Sequence, residues 1–419
     1  MAEVAGAIRV SGPTTPISIE ADDLNGRVDI SEITDFGDFR STSAVLSRCK
    51  QKVLKPYLRF LAIVGFRGFG SDGTNTSEIF PAISNLHVIN VIGFTLLGYV
   101  LMYLGCFRRD RGFACKSHAL ENATFGLLLP CIIHFLGYVY VLYLLRFKQP
   151  EQLENLMERT FLLSVHRANA RKPHLVYRLW IIICLSVLWV LTSFCSIVLL
   201  MLKDKDQIFQ WLYSDLWKFL LQVALVVTIV WQDVIQATII ANYCLQVQLL
   251  TSSLHFLREK LIQHTIQPLS WIREINECRS VLNYLNKEFS PGVCIFIFLN
   301  TSWIITCTIG ISRGEYSDNW TPITAAVVLW IIAVLAPVLL AAQLTSACTH
   351  LRNLGHEVRI RPFVYLDTPG EDLDTILLYT STLKMRSKLF SISISGSFLY
   401  ACFCLIALAV FILGQANII

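Results

Sequence analysis

Charged residues are scarce in this sequence, and this scarcity indicates its class. Asp, Glu, Lys and Arg make up 16% of the 419 residues, while hydrophobic residues make up 54%. A soluble globular chain carries about 25% charged residues, so the composition excludes an ordinary soluble domain and predicts an all-α, polytopic membrane protein. The basic residues stand beside the apolar runs and form no separate basic domain, so no nucleic-acid partner is expected.

Patterns typical of enzymes and metal sites are also missing. The thirteen cysteines form no CxxC pair and no Cys/His spacing typical of zinc, so we expect no metal and no other cofactor. Cys106 and Cys115 flank one short loop and can pair if that loop faces an oxidising compartment. Paired carboxylates, a Ser/His/Asp set and a Gly-rich phosphate loop are not found, so the protein is not expected to be an enzyme.

One acidic residue interrupts an apolar run. Asp233, with Gln232 and Gln236 beside it, can form a proton relay or an ion site, because polar groups inside a membrane are often functional. The alternative is a structural role, because this part of the run is expected to continue outside the bilayer among other helices. The sequence leaves both interpretations open.

The apolar runs are long enough to cross a membrane, since about 20 such residues span the hydrocarbon core as a helix. They predict seven transmembrane helices, at residues 83–107, 123–145, 177–202, 217–245, 292–312, 323–347 and 389–414. Residues 83–416 thus form one seven-helix domain, preceded by a flexible polar tail at 1–46. Residues 47–82 are basic and apolar but too short to span, which predicts an interfacial or re-entrant segment, with a core-facing amphipathic helix as the alternative.

Several helices are expected to continue beyond the bilayer. Residues from about 232 to 290 and from 348 to 390 alternate polar and apolar side chains at helical spacing. This pattern is typical of helices that pack against one another in water. The sequence therefore predicts a helical anchor region on one side of the membrane.

The distribution of basic residues predicts which side that is. With seven spans, 26 of the 35 lysines and arginines lie on the side of the N-terminus and 7 on the opposite side. The positive-inside rule then places the N-terminus and the anchor in the cytoplasm and the C-terminus outside. Two sequons, at Asn122 and Asn319, fall in outside loops, and Asn319 is the better glycosylation candidate because Asn122 lies too near the membrane.

The outer halves of spans two to six carry aromatic and amide side chains that suit a small-molecule cavity. The candidate ligand-binding residues are Phe125, Trp189, Trp217, Gln222, Asn300, Trp303, Thr306 and Trp330. Pro130 and Pro337 can kink spans two and six and so open space between helices. The alternative for each of these residues is ordinary packing.

The final helix, predicted at 391–415, is unusual because no charged residue follows Lys388. It begins with small, hydroxylated residues and carries a lone amide, Gln415, after five apolar residues. Small residues allow close helix packing in lipid, and polar groups there usually face a bundle interior or a water path. We therefore expect this helix at the centre of an assembly, with a final lipid-embedded helix as the alternative.

Three stretches resemble the insect gustatory and odorant receptor superfamily. KPYLRFLAIVGF (55–66) looks like the family's segment before span one, and residues 275–298 are similar to its helical approach to span five. Residues 378–415 resemble the family's cytoplasmic helix and terminal span, with Gln415 at the near-terminal glutamine and Ala416 where the family has Phe. The likeness covers about residues 47–417 and is that of a divergent gustatory receptor-like protein.

Members of this superfamily are seven-helix channels with a cytoplasmic N-terminus that open when a ligand binds. The resemblance implies a homotetrameric, poorly selective cation channel in the plasma membrane, whose last helix lines the pore. Gln415 would ring the outer pore, and Phe411 or Ile412 would form a hydrophobic gate.

The resemblance also implies which partners the protein has. Its expected partners are a small-molecule ligand, held in an outer-leaflet cavity among spans two to six, and membrane lipid. The anchor would hold most contacts between subunits. Two alternatives remain: a non-channel structural or signalling protein on the same scaffold, and an atypical G-protein-coupled receptor with its N-terminus outside.

Overall fold

The computed structural model describes most of the chain between residues 55 and 400. The described residues are 55–68, 79–105, 107–108, 112–113, 128–148, 152–165, 172–203, 208–209, 212–263, 266–312, 320–360, 370–389, 392–397 and 400. The predicted tail at 1–46 lies outside them, as do Cys106, Cys115 and Asn122.

The described residues form ten α-helices and four short strands. The helices are α1 (Lys55–Ile63), α2 (Ile79–Leu104), α3 (Leu129–Tyr143), α4 (Gln152–Val165), α5 (Lys172–Lys203), α6 (Asp215–Ile262), α7 (Pro268–Tyr284), α8 (Ser290–Ser312), α9 (Trp320–Ile360) and α10 (Gly370–Thr382). π-Helical turns extend α3 at Leu144–Lys148 and join α7 to α8 at Leu285–Phe289. Two antiparallel pairs are formed by β1 (Phe107–Arg108) with β2 (Gly112–Phe113), and by β3 (Lys388–Leu389) with β4 (Ile392–Ser393).

Six stretches in the described part of the chain are long and apolar enough to cross a membrane. They lie at Ile83–Leu104, Leu129–Lys148, Val176–Leu202, Asp215–Ile262, Pro268–Thr308 and Ile323–Gly355. Each overlaps one of the first six predicted spans, which confirms an all-α, polytopic membrane protein. The seventh predicted span, 389–414, falls mostly on residues outside the described part.

Two helices are much longer than a bilayer requires. At about 1.5 Å per residue, the 48 residues of α6 extend about 72 Å and the 41 residues of α9 about 62 Å. The hydrocarbon core is only about 30 Å thick. Both helices therefore continue beyond it, with α7 packed beside α6 and α10 beside α9. These are the helices that the sequence predicted as the anchor region.

α6 is the central helix of the bundle. Every residue from 235 to 254 is buried, and α6 packs against α2, α4, α5, α7 and α9. The sequence predicted a helix that packs against other helices in water here, and the structure buries the polar side chains of this stretch among its neighbours. They bond inside the protein: Gln236 Nε2 donates to Asn300 Oδ1 at 2.7 Å, and the Thr238 hydroxyl donates to the Val234 carbonyl at 2.6 Å.

The segment after α1 packs onto the bundle through a glycine–phenylalanine pair. Gly65 has a φ of +92°, a conformation that glycine adopts without strain. This turn directs Phe66 into the core, where its ring meets Tyr138 edge-on with centroids 5.7 Å apart. Arg146 donates to the Gly65 carbonyl at 3.3 Å. The glycine and phenylalanine of the 55–66 stretch therefore have a structural role.

The predicted start of the last span differs from the structure. The sequence places a helix from 389 onward, but Lys388–Leu389 pair with Ile392–Ser393 in the β3–β4 hairpin. Asn286 holds this hairpin, because its Nδ2 donates to the Arg386 carbonyl at 2.9 Å and its Oδ1 accepts from the Lys388 N–H at 2.8 Å. Helical residues resume at 396.

Candidate functional site

A cavity of about 680 Å³ lies between α5, α6 and α9. Ligand sites commonly measure about 300–1,000 Å³. Its wall is mostly apolar and includes Leu185 and Trp189 of α5, Ala237 and Ala241 of α6, and Ala333 and Leu340 of α9. This α5/α6/α9 cavity can therefore hold a small, mainly apolar molecule.

Alanines on facing helices make room for the cavity. Ala237 and Ala241 lie one turn apart on α6, and Ala333 and Ala336 lie one turn apart on α9. Pro337, inside α9, has no N–H to donate to the carbonyl of Ala333. The carbonyl of Ala333, a lining residue, therefore lacks its usual helical donor, and backbone groups of this kind can orient a ligand.

The opposite end of the cavity is polar. Arg178 of α5, His255 of α6 and His350 of α9 line it. From His255 to Ala237 the wall follows α6 for about 27 Å. Under the predicted topology this polar end faces the cytoplasm and Trp189 lies near the middle of the bilayer. The cavity is thus nearer the cytoplasmic side than the outer-leaflet position that the resemblance implies.

A layer of buried polar side chains lies one helical turn beyond Trp189. Ser193 Oγ donates to Asp233 Oδ2 at 2.5 Å, and the Asp233 side chain is fully buried. Ser193 lies well inside the candidate span Val176–Leu202, so Asp233 is level with the interior of that span. Gln236 lies one turn from Asp233 on α6, and its hydrogen bond to Asn300 extends the polar layer to α8. A buried acid at this depth is a candidate for function in its own right.

The other predicted ligand residues are spread over the bundle. Trp303 and Trp330 pack against each other with ring centroids 5.3 Å apart. The Thr306 hydroxyl donates to a carbonyl one turn earlier in α8. Trp217 is 61% exposed at the start of α6, and Gln222 is half-buried farther along that helix.

The described members of the predicted ligand set therefore do not meet in one site. Trp189 lines the cavity, and Asn300 belongs to the polar layer beside it. The remaining predicted site residues, Phe125, Phe411, Ile412, Gln415 and Asn319, lie outside the described residues. Sequence reasoning missed the facing alanines, although Pro337 followed Ala336 in a predicted span and was a usable signal.

Comparison with known proteins identifies the fold. No family model matches the chain, and no curated protein matches it in sequence. The chain is similar to the solved insect olfactory receptor OR5 from Machilis hrabei, with a TM-score of 0.62 at 13% identity, over 88% of this chain and 98% of that chain. The structure of OR5 in complex with eugenol aligns over the same shares, with a TM-score of 0.57 at 12% identity.

The fold thus places this chain in a structural class: the polytopic helical membrane proteins that share the architecture of insect olfactory receptors. The cavity lies within that architecture. The particular likeness is to OR5, over nearly the whole length of that receptor. The fold is thus the one that the resemblance of the three sequence stretches implies. At 12% to 13% identity the likeness shows the fold alone, so the activity of this chain has to be argued from its own residues.

Proposed function

We propose that this chain is a chemoreceptor of the insect olfactory and gustatory receptor type, a ligand-gated, poorly selective cation channel in the plasma membrane. The observation that carries the proposal is the fold, which matches OR5 over 88% of this chain. The α5/α6/α9 cavity supports a small-molecule ligand, and OR5 has been solved with the small molecule eugenol. The stretches at 55–66 and 378–415 favour a gustatory receptor-like member.

The proposed channel is a homotetramer with its last helix around a central pore. Residues 389–419 carry no charged side chain, so rings of acidic residues do not select ions and weak selectivity follows. A ring of Phe411 or Ile412 side chains would block ions by excluding water from the pore. Gln415 would supply the polar ring outside that gate.

Current recordings in a heterologous cell test this proposal. Phe411→Ala is expected to raise the current without ligand on the order of tenfold, which a shift of about 1.4 kcal/mol toward the open state produces. The physical reason is that a smaller apolar ring excludes water less well. Gln415→Ala is expected to change the conductance of the open channel. Leu413→Ala is the matched control, because Leu413 lies on another face of a helix that directs Gln415 to the pore.

Two results would contradict the proposal of a channel. One is surface-expressed protein that passes no current with any ligand and is monomeric in detergent, which favours the non-channel scaffold. Another is an N-terminal tag that antibodies reach from outside the cell, because this reverses the predicted topology.

Trp189 is expected to determine the response to ligand. Trp189→Ala enlarges the cavity and removes apolar contact area, so the half-maximal ligand concentration should rise about tenfold or more. Trp189→Phe should keep most of the response, because the Trp189 indole N–H has no hydrogen-bond partner among the described residues. Trp217→Ala, which changes an exposed tryptophan outside the cavity wall, is the control. Dose–response currents with a ligand found by screening provide the measurement, and equal shifts for Trp189→Ala and Trp217→Ala would contradict the assignment.

A further inference from the structure

A larger crevice, of about 1370 Å³, lies where α7 continues into α8. It is bordered by these two helices, by α9 and by the segment that leads into the β3–β4 hairpin. Six cationic residues define this basic crevice: Arg279, Lys287, Arg352, Lys384, Arg386 and Lys388. It shares no lining residue with the α5/α6/α9 cavity, so it is a separate place in the fold.

No acidic side chain among the described lining residues offsets the positive charge of the basic crevice. Three carboxylates on the neighbouring helices are paired with other cations, in the pairs Glu288–Lys148, Glu277–Arg159 and Glu357–Arg258. The segment after Lys388 carries no charged side chain. Six cations in a concave surface therefore create a positive potential that attracts an anion from outside the chain.

The other end of the basic crevice is apolar and lies among membrane helices. Ile133 of α3 and Ile295 and Phe298 of α8 line it, and all three belong to candidate spans. The Phe298 side chain is 60% exposed, so this end of the crevice is open at the surface. From Lys287 to Phe298 the helical path is about 16 Å long, and one leaflet with its head groups is about 20 Å thick. A cationic end and an apolar end thus lie within the length of one lipid molecule.

We propose that the basic crevice binds a membrane phospholipid with a multiply phosphorylated head group. Its phosphates would contact the cationic residues, and an acyl chain would lie against Ile133, Ile295 and Phe298. Basic pockets between transmembrane helices on the cytoplasmic side suit such head groups, and the predicted topology places Lys384, Arg386 and Lys388 on that side. This lipid site lies beyond the proposed channel activity and does not depend on it.

The membrane, rather than a soluble polyphosphate, is the expected source of this ligand. A soluble anion would use the cationic end alone and leave the apolar end of the basic crevice unoccupied. A lipid uses both ends at once and reaches the crevice laterally, where Phe298 is exposed. The head group without its acyl chains is therefore expected to bind more weakly than the whole lipid.

The side chains of Arg386 and Lys388 can be changed without breaking the hairpin that carries them. Asn286 bonds to the backbone of both residues and not to their side chains. The backbone N–H of Ser387, between them, donates to Thr345 Oγ1 at 3.2 Å. Both side chains are exposed, so an Arg386→Ala/Lys388→Ala variant is expected to fold.

The test is lipid binding to purified full-length protein, measured by native mass spectrometry. The probe is phosphatidylinositol 4,5-bisphosphate, compared with phosphatidylcholine of the same acyl chains and with inositol 1,4,5-trisphosphate as the isolated head group. Arg386→Ala/Lys388→Ala should bind the bisphosphate lipid at least about tenfold more weakly than the wild type. Arg59→Ala/Arg273→Ala, which removes two exposed cations outside the crevice, should bind it as the wild type does.

Three outcomes would overturn the proposal. In the first, the Arg386/Lys388 variant binds the bisphosphate lipid as tightly as the wild type. In the second, both double variants lose affinity equally, which shows a general charge effect. In the third, inositol 1,4,5-trisphosphate binds as tightly as the lipid, which shows a soluble ligand. Because binding is measured directly, none of these results depends on whether the chain conducts ions.

Discussion

Replacement of Trp271 with alanine is expected to lower the free energy of unfolding by about 3–5 kcal/mol, the usual range for a buried tryptophan cut back to alanine. Trp271 is fully buried in the first turn of α7. Its Nε1–H donates to the Leu257 carbonyl of α6 at 3.1 Å, and its ring meets Tyr379 of α10 edge-on with centroids 6.1 Å apart. The substitution therefore removes a side chain that contacts both α6 and α10 from α7, and it leaves a cavity. Thermal unfolding of the purified protein in detergent measures the loss.

Trp271→Phe is the matched control for this substitution. It keeps most of the apolar volume and loses the hydrogen bond to Leu257, which costs about 1–2 kcal/mol. The alanine variant should thus melt well below the phenylalanine variant. Equal melting temperatures for the two would show that the ring does not join the helices.

The same substitution connects stability to the proposed assembly. Tyr379 also donates its hydroxyl to Asn276 Oδ1 at 2.9 Å, and burial raises the pKa of Tyr379, so the hydroxyl keeps the proton that it donates. α6, α7 and α10 thus meet in the part of the bundle that the resemblance assigns to contacts between subunits. If that part holds a tetramer together, Trp271→Ala also lowers the oligomer fraction on size-exclusion chromatography.

The membrane helices could be predicted because their signal is local. A run of apolar residues long enough to span has to be helical in lipid, whatever its neighbours are. The run at 177–202 therefore gave α5 with bounds close to those of the structure, and the run at 323–347 gave the start of α9, which continues to Ile360. The extension of α6 followed in the same way from its helical periodicity over residues 232–262.

The hairpin at Lys388 could not be predicted, because it depends on distant residues. Locally, the stretch after Lys388 is an apolar, uncharged run like the other spans. The strands form because Asn286 bonds to the backbone of Arg386 and Lys388 about a hundred residues later in the chain. The role of Asp233 stayed open for a related reason. A sequence with polar residues at helical spacing fits a helical bundle in water. It fits equally well a membrane bundle in which these residues hydrogen-bond to one another, as Ser193 does to Asp233 here.

The cavity was only partly visible in the sequence. Trp189 was predicted as a ligand-binding residue, since an aromatic residue in a span is an obvious candidate. The space beside it exists because the residues on the facing helices are small. Ala237 and Ala333 make that space only if α6 and α9 turn these residues toward each other. Helix rotation depends on tertiary packing, which one sequence does not give.

Gly355→Ala is expected to destabilise the protein by about 1–3 kcal/mol through overpacking. At Gly355, α9 and α10 approach so closely that an added Cβ would collide with the Thr380 hydroxyl and lie 3.2 Å from the Cα of Leu377. Thr380 is almost fully buried, and the backbone at Leu377 moves only if α10 moves as a whole. The methyl group therefore has to push α10 away from α9. The measurement is again thermal unfolding of the purified protein.

Gly93→Ala makes the same chemical change with the opposite expected sign. Gly93 lies in the middle of α2, where an added Cβ would meet nothing within 4 Å. Alanine is favoured over glycine in a helix interior by up to about 1 kcal/mol, so this variant should be as stable as the wild type or more stable. Helix propensity acts equally at both positions, so the difference between the two variants isolates the contact between α9 and α10. If Gly355→Ala melts at the temperature of Gly93→Ala, the two helices do not pack as closely as the structure describes.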